Sequence, residues 1–419
     1  MSVLSRFLVL TALRWLPVGL IVPVVVLLPL DRGLSLGEIG AALSVQGLVV
    51  LLLELPTGGL ADAWGRRPVL LLSSALALAS YATVLAAHHA ATLALAYALM
   101  GASRALDSGP LSAWFVDESG ASPAQVTSGL GRAGAVVGTS IGAGALLSGA
   151  LVAWLPVSHA TALAVPYAAA AGLVLVQVVV VLVLMREHRT HQGSLGASVR
   201  ATVPTIVSAL RLLRRSRVLA ALVAVELFWG FGMAAFESFT PVRLGELLGE
   251  SGDAAAVMGP VSAAAWGVSA LGAAVVAPFV RRWSAVSVSV TLRLVQGATV
   301  VVMGLVGGPV WLVVAFLATY AVHSAAGVVY ESLLHEQAES ANRATVLSLS
   351  SMAMHPGGSL GMLVLGAVAG TWSTGAAFVL AGVVTAAAAP LFLVRERGGT
   401  PRPGREGRRT LGAGTLQQR

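Results

Sequence analysis

Eight ionisable residues lie inside long apolar stretches of this sequence, and they are the residues best placed to do chemistry. In the first half they are Arg14, Glu54, Arg104 and Asp107; in the second they are Glu226, Glu237, Arg293 and Glu331. A charge inside a bilayer costs about 2.5–3.5 kcal/mol on insertion scales, so such groups are kept for pairing, substrate contact or proton relay. The first four sum to zero. Arg104 with Glu54 and Arg14 with Asp107 would make a compensated network, the alternative being that both arginines snorkel to the nearer headgroups. In the second half the carboxylates outnumber the one arginine, and Arg293 is expected to pair with nothing useful. A carboxylate in apolar surroundings without a cation is suited to cycling protons. Glu226 is the first choice for that role and Glu237 the second, with Asp107 and Glu54 as further candidates.

Around these charges stand residues suited to a substrate path: Arg14, Arg104, Phe228, Trp229, Phe236, His323 and His355. Either histidine could titrate or be packed with its hydrogen bonds satisfied. Phe228, Trp229 and Phe236 lie between or beside the two glutamates Glu226 and Glu237, which makes that segment a pocket wall.

The elements that hold these residues are membrane helices. The chain has 419 residues, 57% hydrophobic and only 11% charged, with a mean hydropathy of +0.86; no soluble core hides so much apolar surface. Runs of about 20 residues, the length of a bilayer-crossing helix, fall near 7–30, 37–58, 68–87, 91–115, 128–153 and 160–185. After an interruption they resume near 218–241, 254–279, 285–306, 309–331, 344–369 and 374–394. The reading is an all-α membrane protein of twelve transmembrane helices in two six-helix, pseudo-symmetric bundles. The bundles occupy residues 1–185 and 218–395. A cytoplasmic linker, 186–217, lies between them, and a disordered basic tail, 396–419, follows. Residues 197–217 place arginines on one face and aliphatics on another, as in an interfacial amphipathic helix, or else form a solvated linker.

All 26 basic residues are arginine. Without lysine there is no phosphate-gripping Walker loop, and without cysteine there is no disulfide or thiolate metal site. Apart from Arg14, Arg104 and Arg293 in the membrane and Arg32 and Arg243 on one side, every arginine falls on the side of both termini, which the positive-inside rule makes cytoplasmic. Gly138-Thr139-Ser140-Ile141-Gly142 and Gly357-Gly358-Ser359-Leu360-Gly361 match the hydrolase elbow but lie in helices, so no enzyme is expected. The spacing of Arg66-Arg67 and Arg281-Arg282, of Arg104 and His323, and of Gly138 and Gly142 with Gly357 and Gly361 marks a repeat.

Between the second and third runs stands Gly58-x-x-x-Asp62-x-x-Gly65-Arg66-Arg67. In a chain split six plus six, this resembles the loop signature of the major facilitator superfamily, over residues 5–395, with Glu54-Leu55-Pro56-Thr57 similar to the helix end in bacterial efflux members. Ala63 replaces the usual basic residue, and the second copy has Ala277 and Val280 where the carboxylate and glycine belong. The resemblance implies a conformational latch of Gly58, Asp62, Gly65, Arg66 and Arg67. In it Asp62 faces the start of helix 11 near Arg343 and Ala344, and Arg66 reaches Asp117. Gly134, Gly138 and Gly142 resemble the glycine-rich signature of drug/proton antiporters, with Ala143 in place of its proline, or serve helix packing alone.

The expected function is proton-coupled efflux of small hydrophobic or amphipathic molecules by alternating access. Alternatives are an uptake carrier or uniporter for a small metabolite, or a non-transporting receptor or scaffold. No cofactor or metal is expected beyond the proton gradient. The expected partners are the lipid bilayer and a small-molecule substrate, with no nucleic acid, for a monomer in a bacterial inner membrane.

Overall fold

Serine begins most of the helices. The side chains of Ser2, Ser35, Ser158, Ser216, Ser284 and Ser373 each accept a backbone N–H in the first turn, satisfying donors that a helix leaves open at its start. The computed structural model describes residues 1–187, 204, 207–208, 210–249, 251–337 and 343–396, without the side chains at 55, 56, 58, 59, 62, 251, 252 and 343–345. The expected tail lies outside them apart from Glu396, as does about half of the expected linker helix.

The helices are α1 (Val3–Ile21, extended by Leu27–Asp31), α2 (Leu36–Trp64), α3 (Arg66–Ala86), α4 (Ala90–Asp107, continued by Pro110–Ser119), α5 (Pro123–Trp154) and α6 (His159–Leu184). The second half has α7 (Arg217–Ala234, a π-helical turn Ala235–Phe239, then Thr240–Leu248), α8 (Ser251–Val275, continued by Ala277–Arg282), α9 (Ala285–Leu305), α10 (Pro309–Gln337), α11 (Arg343–Thr371) and α12 (Thr374–Ala387 with Ala389–Leu393). Among the described residues, eleven segments are long and apolar enough to cross a membrane. The twelfth position is held by α4, packed against α2 and α3. Arg104 and Asp107 lower its apolar character, and the expected 91–115 helix breaks at Ser108 and Gly109.

Helices pack within halves as α1 on α5 and α6 and α3 on α4 and α6, mirrored by α7 on α11 and α12 and α9 on α10 and α12. The halves meet along two seams, α2 with α11 and α5 with α8. The repeat also explains the two arginines on the sparsely basic side. Arg32 donates to the carbonyls of Val84, Leu85 and Ala87 at the end of α3, while Arg243 donates to those of Gly304 and Val306 at the end of α9. Each guanidinium satisfies orphan carbonyls at the negative end of a helix. Burial lowers the pKa of Arg32 from its ordinary value, opposed by Tyr167 and Asp31.

We call the end holding Val3, Arg66 and Glu396 the terminal end and the opposite one the far end. The seams close from the far end to mid-depth. A Cβ on Gly149 of α5 would stand 2.7 Å from the Ala256 carbonyl and 3.0 Å from the Gly259 Cα of α8, and one on Gly40 of α2 would stand 3.0 Å from the Gly366 Cα of α11. At these places only glycine lets the backbones approach. One apolar core at the far end joins both halves, including Ile39, Ala254, Met362 and Leu365, whereas the terminal-end clusters around Phe7 and around Leu219 each belong to one half. A cleft therefore separates the halves toward the terminal end. Gly134, expected in helix packing, meets nothing within 4 Å, while Gly138 and Gly142 make ordinary contacts with Trp266 and Ala263 at the seam. The contacts match Gly144 and Gly149 with Gly361 and Gly366, a register two residues from the expected pairing of Gly138 and Gly142 with Gly357 and Gly361.

Candidate functional site

At the bottom of the cleft the two halves present different chemistry. From the first half, Arg14 of α1 and Asp107 of α4 form the expected ion pair, with side chains 25% and 14% exposed. The Arg14 guanidinium lies 5.2 Å from the Trp15 ring centre, within cation–π range. The other expected pair, Arg104 with Glu54, does not form. Glu54 Oε2 instead faces His355 Nε2 of α11 at 3.6 Å across the seam, because α2 packs on α11 there. Arg104 is exposed and makes no ion pair or hydrogen bond among the described residues. Its charge acts on Asp107 and on Glu237 and His355 of the other half, so it looks into the cleft.

From the second half comes an aromatic wall. Trp229 stacks on His323 with ring centres 4.6 Å apart and contacts Phe236 at 5.5 Å. Tyr320 touches Phe236, Phe316, Trp266 and His323. Its hydroxyl donates to Glu237 Oε1 at 2.6 Å. Glu237 lies on the π-helical turn of α7, a distortion frequent at functional sites because it re-aims the side chains it carries. Phe228 does not join this wall; it packs in the terminal-end cluster of the second half.

Glu226 lies a few turns from Glu237 on α7, nearer the terminal end. The expectation that it lacks a cation is corrected, since the charge of Arg293 acts on it. Arg293, expected to pair with nothing useful, is 4% exposed and points inward. It donates to Gln296 Oε1 at 2.8 Å and lies 5.4 Å from the Trp229 ring centre. Sequence reasoning missed Tyr320. A tyrosine three positions before His323 in an apolar helix, with a polar tip that must find a partner, was the available signal.

The glycine-arginine loop sits at the terminal end of the first half. Gly65 has φ +99°, which a residue with a side chain rarely adopts, and makes the sharp turn from α2 to α3. Arg66 Nη2 meets Asp117 Oδ2 at 2.7 Å, as expected, and its backbone N–H donates to Glu187 Oε1 at 2.7 Å. Arg67 donates to the Leu182 carbonyl at 2.7 Å. The loop thus ties α3 to the continuation of α4 and the end of α6, all within one half. The side chain of Asp62, the surroundings of Gly58 and the Arg343 side chain lie outside the described residues.

No curated protein matches the sequence. Among solved structures, the fold is similar to the nucleoside transporter NupG, with a TM-score of 0.78 at 12% identity over 94% of this chain and 98% of that one. It is similar to the peptide transporter POT in complex with sulfate, with a TM-score of 0.70 at 16% identity over 93% of each chain. A bacterial homologue of the human lysosomal transporter Spinster, inward-facing and unoccupied, matches with a TM-score of 0.68 at 15% identity over 93% of this chain and 94% of that one. The Major Facilitator Superfamily model matches residues 7–334. With that match over most of its length, and with its described helices packed in two mirrored halves, this chain belongs to the major facilitator superfamily of transporters and is not an enzyme.

Proposed function

We propose that this transporter is a proton-coupled exporter of small hydrophobic or amphipathic molecules, working by alternating access as a monomer. Its arginine-rich terminal end faces the cytoplasm of a bacterial inner membrane, so the described arrangement is open to the cytoplasm. One observation carries the reading: ionisable groups from both halves converge at the depth where the closed seam gives way to the open cleft. Glu54, Asp107 and Arg104 come from one half and Glu237 and His355 from the other. Proton binding there acts on the same surfaces that must separate and rejoin. Glu237 and Glu226 on α7 are the coupling carboxylates; Glu237 holds the more favourable place, because its buried partner Tyr320 packs directly behind the half-buried rings of Trp266 and His323.

Reconstitution in proteoliposomes with an imposed pH gradient, followed with a panel of amphipathic dyes, tests this. Dye movement against its gradient accompanied by proton movement the other way is expected, and Glu237→Gln or Glu226→Gln should uncouple the two. Transport that ignores the pH gradient in the unmodified protein would refute the coupling.

A further inference from the structure

We infer that the cleft takes an amphipathic weak acid, an anionic group on a planar apolar body, with Arg104 holding the anion and the aromatic wall opposite holding the body. This rests on reading the cleft as the substrate site. Every other charge at that depth is engaged. Arg14 pairs with Asp107, Glu54 faces His355, and Glu237 accepts from Tyr320. Arg104 alone is exposed and without an ion pair or hydrogen bond among the described residues. A guanidinium does not release its proton at physiological pH, so Arg104 is ill suited to relay protons. Its planar fork is suited to binding a carboxylate or similar anion through two parallel hydrogen bonds.

The opposite wall defines the rest of the ligand. Arg104 acts on Glu237, which follows Phe236 directly; Phe236, Trp229 and Tyr320 are themselves buried and back the half-buried rings of Trp266 and His323, which are the faces left for a ligand. Amide side chains are scarce in the membrane helices. Gln296 is fully buried and taken by Arg293, and Gln177 donates to Ser74. A sugar-like ligand would find few amide side chains there, whereas an aromatic acid finds both a cation and a ring surface.

Equilibrium binding to the purified full chain, without any gradient, tests the inference. The probes are 2-naphthoate, neutral 2-naphthamide, cationic 2-naphthylmethylammonium and sulfate, read by titration calorimetry. The naphthoate should bind about tenfold or more tighter than the amide, as a fork-to-carboxylate contact implies. Sulfate should compete with it. Arg104→Gln should abolish that preference while leaving naphthamide affinity unchanged, which doubles as the control for folding, and Arg104→Lys should restore it in part. Equal affinity for all three naphthyl probes, preference for the ammonium, or unchanged naphthoate binding in Arg104→Gln would overturn it. So would loss of naphthoate binding in nanodiscs containing phosphatidylglycerol, since Arg104 would then serve a lipid headgroup. Should Arg104→Gln fail to fold, the ranking of probes in the unmodified protein still decides. Because no flux is measured, failure here leaves proton coupling standing, and failure of coupling leaves this result standing.

Discussion

His355 Nε2 on α11 stands 3.6 Å from Glu54 Oε2 on α2, and this contact is the side-chain bridge across the seam at mid-depth. Glu54 Oε2 is buried and makes no hydrogen bond among the described residues, the histidine lying just beyond that range. Replacing His355 with alanine removes this polar contact, worth about 0–1 kcal/mol between partly exposed side chains. His355→Ala should therefore loosen the far-end-closed state, and His355→Asn should retain more of it. Spin labels at the exposed positions Trp154 and Trp372, made cysteine in a chain that has none of its own, should show a longer far-end distance in the alanine variant.

The hydroxyl of Tyr320 fixes Glu237. A hydrogen bond to a charged group is worth about 1.5–3 kcal/mol, so Tyr320→Phe should reduce substrate-driven proton movement by about tenfold or more while the ring keeps its packing. Proton flux equal to that of the unmodified protein would exclude Glu237 as the group its hydroxyl serves.

Gly149→Val tests the far-end seam. The Cβ would meet backbone of α8 rather than a side chain that can turn away, so α5 and α8 must separate. Overpacking of this kind costs about 1–3 kcal/mol. The variant should fold, populate the far-end-open state more, and transport slowly; an unchanged label distance between the halves would contradict this.

Asp117→Asn keeps the shape of the Arg66 contact and removes its charge. The partners are partly exposed, and the loss should be about 1–2 kcal/mol of thermal stability, with slower transport and little change in ligand affinity. Normal turnover would reduce the loop to a topological signal.

Glu396, beyond α12 on the terminal side, accepts from the Ser216 hydroxyl at 2.5 Å and from the N–H groups of Val218 and Arg217. The Ser216 bond, chiefly, holds its carboxyl below the ordinary carboxylate range. A depressed folded-state value means that the stabilisation is present above the unfolded pKa and disappears as the pH falls through the folded one. Hydrogen exchange at the Val218 and Leu219 amides should differ between the unmodified protein and Glu396→Gln at neutral pH, and the difference should vanish in acid.

The membrane helices and the Arg14–Asp107 and Arg66–Asp117 pairs were legible in the sequence, because hydropathy and charge balance act along the chain and the loop signature is local. Arg104–Glu54 failed for a tertiary reason: α11 brings His355 to Glu54 across the seam. Arg293 failed similarly, since nothing along the chain shows that its side chain turns inward to Gln296 and Trp229. The register of the repeat was misread by two residues, because glycines recur too often in α5 and α11 for spacing alone to align them.

The far-end seam has a kinetic consequence. Where Gly149 meets Gly259 and Gly40 meets Gly366, the closing surface is backbone, which has no rotamers to freeze when the halves join and none to release when they part. Parting these two crossings forfeits many small dispersion and Cα–H contacts. At these crossings the joint can part without freeing rotamers, so the side-chain cost of opening falls on the apolar core around them, Ile39, Met362 and Leu365 among it, and on the few charged and aromatic groups at mid-depth.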